Sequence, residues 1–270
     1  MTPTNNFQII SDNWKYVLPP SRPSETELQR IRSLLFNINR KTAIAILGST
    51  VEYRDLLKEL GFKCIYVFDK NRDFYNLSKT WCAYDTLDEV FIEGDWLTTL
   101  GSYSELFGVI LSDLTMGNID YSYRNEFHRK IHNALINNGY FIDKVLINAL
   151  PYLPLSFIRE KYSQLPLNLI TANCFSCEAL FCSELLKDDN IDTTKFYNIL
   201  RTEFSESPKL LKLIEMSLLI TPEKCVWHYG REWSKLESNY TSFYCESPFF
   251  IDSPGSPYHG RLRHFFNKKG

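Results

Sequence analysis

The sequence predicts an α/β fold: a doubly wound, mostly parallel sheet of seven strands, with a helical cap inserted before the last two strands. Two observations lead to this prediction. From Ala43 to Ala149, short apolar runs alternate with polar segments of helical periodicity, which is typical of buried parallel strands joined by right-handed helical crossovers. From Pro151 onward this alternation stops, and strand-like runs return only near the end of the chain.

The first helix is predicted to begin after Ser24. Ser24 and Glu27 have the spacing of a capping box, in which each side chain bonds to the backbone of the other residue. Apolar residues then recur at helical spacing, at Leu28, Ile31, Leu34, Leu35 and Ile38. We expect this helix to cover one face of the sheet.

Five apolar runs are predicted to form the parallel strands. They are Ala43–Leu47, Cys64–Phe68, Glu89–Ile92, Phe107–Leu111 and Tyr140–Ile147. A helix carrying Leu56, Leu57 and Leu60 separates the first two strands and ends at Gly61, which has the position of a C-terminal cap. Each pair of strands with its helix therefore reads as a βαβ unit.

The cap is predicted from four helical segments that follow the fifth strand. They are Leu155–Gln164, Phe175–Leu186, Thr194–Phe204 and Leu210–Leu219. Two closing strands are expected at Tyr240–Cys245 and Arg261–Phe266, joined by the turn-forming loop Pro254–Gly260. The predicted domains are an N-terminal helical segment over the ligand site (1–42), a core (43–149 and 235–270) and a helical cap or lid (150–234).

Composition limits the class of partner. The net charge of −2 argues against a nucleic-acid partner held mainly by phosphate contacts. No stretch approaches the roughly 20 apolar residues of a membrane span, and the polar start does not have the pattern of a secretory signal. Seven cysteines are an odd number in a chain large enough to fold without disulfides. We expect a cytoplasmic protein that binds no membrane.

Acidic and small residues follow the predicted strands at their carboxyl ends, where open parallel sheets bind ligands. Gly48 permits a sharp turn after the first strand, and Ser49 and Thr50 then begin a helix whose N-terminus favours an anionic group. Asp69 follows the second strand about twenty residues later, a position that suits a carboxylate bonded to ribose hydroxyls.

The third and fourth strands end in the same way. Asp95 and Trp96 place a carboxylate beside an aromatic ring that can stack on adenine, and Asp113 follows the fourth strand. A nicotinamide enzyme normally has three glycines in the first turn, and a phosphate-binding loop ends in Gly-Lys-Ser or Gly-Lys-Thr. Neither pattern is present, so an adenosine ligand without phosphates fits best.

These residues resemble the class I S-adenosylmethionine-dependent methyltransferases, in a branch of uncharacterised bacterial type. The likeness covers Trp14 to about Ile147 and, less firmly, the terminal strands. It rests on Trp14, the stretch Pro20-Ser21-Arg22-Pro23-Ser24, the loop Leu47-Gly48-Ser49-Thr50-Val51-Glu52-Tyr53-Arg54-Asp55-Leu56, and Gly94-Asp95-Trp96. The resemblance implies a Rossmann-like sheet of order 3-2-1-4-5-7-6 with an antiparallel seventh strand.

The resemblance also implies roles for individual residues. Gly48 and Thr50 are expected near the methionine part of the cofactor, Asp69 on the ribose, Asp95 and Trp96 on the adenine, and Asp113 toward the amino group. Arg22 is a candidate for the cofactor carboxylate and Glu52 for orienting the first loop. The full expected set for S-adenosyl-L-methionine is Arg22, Gly48, Ser49, Thr50, Glu52, Asp69, Lys70, Asp95, Trp96, Asp113 and Leu114.

The predicted activity is methyl transfer to a small-molecule or peptide acceptor. The chain reads Ser112-Asp113-Leu114-Thr115-Met116-Gly117 after the fourth strand, without the Asn-Pro-Pro-Tyr-like motif that serves base amines, which weakens a nucleic-acid reading further. A catalytically inactive S-adenosylmethionine-binding subunit or sensor is the alternative, and a nicotinamide oxidoreductase is a third reading. Self-association as a homodimer and the identity of the acceptor are left open.

The sequence also contains conceivable catalytic bases and a set of residues with zinc-like spacing. Tyr121, His128 and His228 are conceivable bases, but a histidine on such a helix is more often structural, so no catalytic residue is named. Cys174 and Cys177, with Cys225 and His228, copy the local spacing of a structural zinc site. Buried free cysteine also packs as a small hydrophobic residue, and no metal is predicted.

Overall fold

A computed structural model describes residues 12–19, 21–146, 153–182, 190–221, 223, 225–228, 238, 240–246, 248–251 and 262–270. The chain divides into two compact units. One contains Met1–Leu18, Ile147–Trp233 and Ser253–Arg261, and the other contains Pro19–Leu146, Ser234–Asp252 and Leu262–Gly270. The predicted covering roles of residues 1–42 and 150–234 stay predictions.

The second of these units is built on a seven-stranded sheet. Its strands are β1 (Ala43–Leu47), β2 (Ile65–Asp69), β3 (Val90–Glu93), β4 (Phe107–Asp113), β5 (Leu135–Leu146), β8 (Phe249–Ile251) and β9 (Leu262–Lys268). The order is β3-β2-β1-β4-β5-β9-β8. The first five strands pair in parallel, whereas β9 is antiparallel to both of its neighbours. Counted within this sheet, the order is the 3-2-1-4-5-7-6 arrangement that the resemblance implied.

The predicted parallel strands are confirmed, with small shifts. β1 has the predicted bounds, β2 and β3 lie one residue later, and β4 continues to Asp113. β5 begins earlier than expected, at Leu135, because Leu135 pairs with Phe107 before the register shifts. Asn138, which has a left-handed conformation, and Gly139 lie between Leu135 and the regular part of the strand, which starts at Tyr140. Asn and Gly are typical turn residues, so the sequence there resembles a turn.

Helices cover both faces of this sheet. They are α1 (Glu25–Leu35), α2 (Val51–Glu59), α3 (Arg72–Ser78), α4 (Trp96–Thr99) and α5 (Arg124–Ala134). The predicted capping box at Ser24 and Glu27 is present at the start of α1. Ile31 of α1 and Leu57 of α2 pack in one core with Ile142 of β5, whereas Phe127 of α5 contacts Phe141. Successive strand residues point to opposite faces, so α1 and α2 lie on one face and α5 on the other.

The other unit contains helices and one small antiparallel sheet. Its helices are α6 (Leu155–Gln164), α7 (Leu169–Ala179), α8 (Thr193–Glu203) and α9 (Pro208–Ser217), and the sheet pairs β6 (Asn190–Asp192) with β7 (Val226–His228). The helix predicted at Phe175–Leu186 begins earlier, because the Asn168 side chain accepts a hydrogen bond from the Thr171 N–H and caps α7. The three-residue strands of the small sheet are too short to show an apolar period.

The strand predicted at Tyr240–Cys245 is wrong. Residues 240–243 are helical, and the sixth strand of the main sheet is β8 at Phe249–Ile251. Tyr240 and Tyr244 are both buried at a spacing of four residues, and the Tyr244 N–H donates to the Tyr240 carbonyl. The alternation that suggested a strand was therefore one turn of a helix with an aromatic face. The predicted loop Pro254–Gly260 lies outside the described residues.

Within the described ranges, no helix is long and apolar enough to cross a bilayer.

Candidate functional site

The turn after β1, Gly48–Thr50, lies at the carboxyl edge of the sheet. Gly48 has a φ of +94°, a left-handed conformation that favours glycine, and its N–H donates to the Phe68 carbonyl at 2.8 Å. Thr50 is the N-cap of α2 and offers it no side-chain hydrogen bond. The first-turn amides of α2 therefore receive no capping hydrogen bond from the Thr50 side chain.

Asp69 ends β2 and is bound to the β1 turn. Its Oδ2 accepts a hydrogen bond from the Ser49 hydroxyl at 2.7 Å, and its Oδ1 accepts from the Asn71 N–H at 2.9 Å. Burial raises the pKa of Asp69, and the Ser49 hydrogen bond opposes that shift. The structure thus brings two predicted ligand residues into direct contact and fixes the carboxylate. Lys70 is exposed beside it.

The segment after β3 is tied to the end of β2. Asp95 caps α4, with its Oδ1 accepting from the Leu97 N–H at 2.9 Å, and the Trp96 indole N–H donates to the Phe68 carbonyl at 3.0 Å. Gly94 has a φ of +146°, and a Cβ there would lie 2.7 Å from the Thr99 side chain. The Trp96 ring is therefore held at this edge through the only polar atom of its side chain.

The loop after β4 closes over the ends of β1 and β5. The Thr115 hydroxyl donates to the Leu47 carbonyl at 3.3 Å, and the Leu114 N–H donates to the Lys144 carbonyl at 3.0 Å. Leu114 has a φ of +58°, a strained conformation for a side chain of this kind that costs of order 1–3 kcal/mol. Strain of this kind persists where surrounding contacts enforce it and is common at ligand sites.

Arg22 and Glu52 form an ion pair at the start of α2. The Glu52 side chain is nearly buried, and the Arg22 side chain remains about a quarter exposed, at 27%. Both residues belong to the predicted cofactor set, and the structure places them together. The guanidinium is thus held by the loop glutamate while part of it still faces solvent.

A buried charged cluster lies on the face of the sheet that α1 covers. We call it the Lys144 cluster, and it consists of Glu27, Asp113, Lys144 and His264. Lys144 Nζ lies 2.5 Å from Asp113 Oδ1 and 3.4 Å from Glu27 Oε1, and Glu27 Oε1 lies 3.2 Å from His264 Nδ1. The strand register explains the arrangement, because Asp113, Lys144 and His264 pair side by side across β4, β5 and β9.

The electrostatics of this cluster favour an ionised Glu27. Burial alone would raise the pKa of Glu27, but Lys144 and His264 outweigh it and lower the pKa to about 2. Burial raises the pKa of Asp113 to about 6, against the opposing effect of Lys144. Burial would lower the pKa of Lys144, and the two carboxylates reverse this and raise it. Lys144 is thus a buried ammonium shared by two acids.

The opposite face of β5 holds a second buried polar group. The Tyr240 hydroxyl donates to Asp143 Oδ2 at 2.5 Å, and the Tyr240 ring stacks on Phe265. Burial raises the pKa of Asp143 to about 7 despite this hydrogen bond. His128 is fully buried among aromatic rings, and burial lowers its pKa to about 3. His128 therefore acts as a structural residue of the core.

Tyr121 and His228 are the other two conceivable bases. The Arg124 guanidinium stacks over the Tyr121 ring at 4.0 Å, and His228 belongs to β7 of the other unit. Cys174 and Cys177 lie on α7. In the part of the chain that the structure describes, no group of three or more His, Cys, Asp or Glu side chains could hold a metal ion.

Sequence reasoning missed the Lys144 cluster except for Asp113. Glu27 was interpreted only as half of a capping box, and His264 only as part of a closing strand. The signal was present in β5, where Asp143 and Lys144 interrupt a run that is otherwise apolar. Two adjacent charges inside a central strand are unusual, because each needs a partner on its own face of the sheet.

No protein-family model matches the chain, and no curated protein matches it. Solved structures similar to this chain are mostly S-adenosylmethionine-dependent methyltransferases. One from Mesorhizobium loti has a TM-score of 0.52 and 11% identity, covering 89% of this chain and 96% of that chain. Another, from Methanosarcina mazei, has a TM-score of 0.51 and 12% identity, covering 88% of this chain and 96% of that chain.

A further similar structure has a different description. It is that of a presumed Zn-dependent alcohol dehydrogenase from Rhodobacter sphaeroides, with a TM-score of 0.58, 14% identity and full coverage of both chains. At such identities the likeness concerns the fold alone. The chain has a methyltransferase-like α/β fold, with a mostly parallel sheet and an antiparallel final strand.

Proposed function

We propose that this chain is an S-adenosylmethionine-dependent methyltransferase that acts on a small-molecule or peptide acceptor. The observation that carries the proposal is the contact between Asp69 and Ser49 at the carboxyl ends of β1 and β2. The strand order reverses between β1 and β4, and ligands of open α/β sheets bind at such a reversal. A half-buried carboxylate fixed there is suited to the two hydroxyls of an adenosine ribose.

The residues at this edge fit the chemical groups of S-adenosylmethionine. Asp69 would bind the ribose, and Asp95 with the Trp96 ring would hold the adenine. The Gly48–Thr50 turn would lie against the methionine part. Arg22, partly exposed beside Glu52, suits the carboxylate, and Asp113 with the Leu114 backbone would receive the amino group.

The same set disfavours a dinucleotide. Asp69 ends β2 and Asp95 follows β3, where their carboxylates would repel a pyrophosphate and attract a sulfonium and an ammonium group. The turn after β1 contains one glycine where a dinucleotide-binding turn normally has three. These features separate the proposal from the nicotinamide reading.

When bound, the cofactor would supply a methyl carbon already activated for displacement. The protein would contribute alignment and exclusion of water, since an in-line transfer needs the acceptor atom held against that carbon. The buried polar groups at the ends of β4 and β5 offer such a fixed environment. Few obligatory catalytic groups are therefore needed.

Substitution of Asp69 tests the proposed site. We expect Asp69→Asn to weaken binding of S-adenosylhomocysteine by about 10- to 100-fold, because a charge-assisted hydrogen bond contributes about 1.5–3 kcal/mol. The measurement is isothermal titration calorimetry. Asp73→Asn is the matched control, since Asp73 is an exposed residue in the first turn of α3. Equal affinity in the two variants would remove Asp69 from the site.

Transfer of a labelled methyl group separates the enzyme from the inactive binder. We expect the wild-type protein to move the tritiated methyl group of S-adenosylmethionine onto a member of a panel of small amines, alcohols and peptides. Tight binding of the cofactor with no transfer to any acceptor, together with a stable complex with a protein partner, would instead favour a binding subunit or sensor.

A further inference from the structure

β3 is an edge strand of the seven-stranded sheet, as far as the described residues go. Its residues, Val90–Glu93, pair with β2 on one side. The Gly94 N–H donates to the Asp69 carbonyl at 3.1 Å, and the backbone groups of successive strand residues point in alternate directions. The N–H and C=O groups of Phe91 and Glu93 therefore point away from β2, where no described residue bonds to them.

Apolar side chains are exposed beside this open edge. Leu87 is 89% exposed and Val90 is 42% exposed. Soluble proteins usually protect a sheet edge with charges, proline or a covering segment, because an open apolar edge pairs readily with another strand. β3 contains no lysine or proline, and its one charged residue, Glu93, already pairs with Arg72. The edge therefore has the properties of a surface on which another strand docks.

A second copy of β3 satisfies all four outward backbone groups in one antiparallel register. When Ile92 lies opposite Ile92 of the second copy, Phe91 lies opposite Glu93 of that copy. Each of these two symmetric pairs exchanges two N–H···O=C bonds, as the hydrogen-bonded pairs of an antiparallel ladder do. Val90 then comes opposite Gly94 of the second copy, which has no side chain to obstruct it.

The charges at this edge are self-complementary in the same register. Arg72 Nη2 lies 2.7 Å from Glu93 Oε2, and the guanidinium carbon of Arg72 lies 4.9 Å from the centre of the Phe91 ring. Glu93 of the second copy stands opposite Phe91 on the same face of the sheet, so it lies within reach of Arg72. Two arginines and two glutamates thus alternate around the two-fold axis, as a self-complementary interface requires.

We propose that two copies of this chain associate through antiparallel pairing of β3, with Ile92 at the two-fold axis. The pairing joins the two seven-stranded sheets into one continuous sheet. Backbone hydrogen bonds and the burial of Val90 and Ile92 supply the affinity. The contacts between Arg72 and Glu93 select a second copy rather than an unrelated strand. This inference does not depend on the proposed function.

Charge reversal tests the contacts between the copies. Glu93→Arg and Arg72→Glu each place like charges across the axis, and both side chains are about half exposed, so the variants should fold. By sedimentation velocity we expect the wild type at twice the 31.7 kDa mass of one chain and each variant as a monomer. An equimolar mixture of the two variants restores opposite charges between copies, although not within either chain, and should sediment as a dimer.

The matched control is Lys212→Glu, because Lys212 forms an equally exposed ion pair with Glu215 on α9. This variant should keep the mass of the wild type. A monomeric wild type would overturn the proposal. Variants that stay dimeric, or a mixture that stays monomeric, would do the same.

A disulfide between copies tests the register. The two Ile92 residues form the non-hydrogen-bonded pair at the axis, with Cα atoms about 4.5 Å apart, which a disulfide can span. The two Val90 residues are more than ~13 Å apart in this register. With the exposed Cys64 and Cys245 replaced by serine, we expect Ile92→Cys to cross-link on oxidation and Val90→Cys not to. Cross-linking at residue 90, or none at residue 92, would contradict the proposed pairing.

Discussion

Arg54 and Glu89 form an ion pair in which both side chains are 0% exposed. Arg54 Nη2 lies 2.7 Å from Glu89 Oε2, Arg54 Nη1 donates to the Ser78 hydroxyl, and the Tyr75 hydroxyl donates to the same carboxylate. The pair joins α2 to the residues before β3. At the scale of single residues, stability in this part of the molecule depends on charges that have no access to water.

Removal of one partner of this pair should be strongly destabilising. We expect Arg54→Met to lower the free energy of unfolding by about 3–5 kcal/mol, because it leaves the Glu89 charge buried and unpaired. Arg32→Met is the matched control, since Arg32 pairs with Glu59 at the exposed surface, where such pairs contribute about 0–1 kcal/mol. Urea unfolding measures both, and similar losses in the two variants would contradict the assignment.

Asp143 gives stability a specific dependence on pH. Burial raises the pKa of Asp143 from the ordinary 3.8 to about 7, so between these values the folded protein holds a proton that the unfolded chain releases. Stability should therefore fall as the pH rises from about 4 to 7, by about 1.4 kcal/mol for each unit of pKa difference. Asp143→Asn should lack this component. If urea unfolding at several pH values gave the same pH dependence of the free energy of unfolding for the variant and the wild type, the role of Asp143 would be contradicted.

At the scale of elements, caps and turns were predictable because they depend on local sequence. The capping box at Ser24 and the turn at Gly48 have the expected structures. Gly61 follows α2 with a φ of +82°, which confirms it as the residue that ends the helix. The strand wrongly predicted at Tyr240–Cys245 shows where local sequence is not sufficient. The burial of Tyr240 depends on Asp143 and Phe265, which are distant in sequence.

Gly61 offers a test of the helix end without a steric contribution. A Cβ there would meet nothing within 4 Å, so Gly61→Ala should lose only about 1–2 kcal/mol, the cost of the left-handed conformation. Gly101→Ala is the control, because its Cβ would make only ordinary contacts with the Lys130 side chain. Thermal or urea unfolding should rank Gly61→Ala clearly below Gly101→Ala in stability, and the reverse order would contradict the cap.

At the scale of the whole molecule, the alternation of apolar runs predicted the sheet, and the residues at the strand ends predicted half of the site. Asp69, Ser49 and Trp96 entered the candidate site at the sequence level because they lie at or just after the ends of apolar runs, which are β2, β1 and β3 in the structure. Glu27 and His264 were missed because they meet across α1 and β9, more than two hundred residues apart in the chain. Their chemistry arises from the register of β9 on β5, which local patterns do not encode.

The central claim is that the carboxyl edge of the sheet binds S-adenosylmethionine. The most direct measurement is isothermal titration of the wild-type protein with S-adenosylmethionine, S-adenosylhomocysteine and NAD. The arrangement of Asp69, Arg22 and Asp113 predicts saturable binding of the first two ligands and none of NAD. Binding of NAD instead, or of none of the three, would contradict the account and leave only the fold.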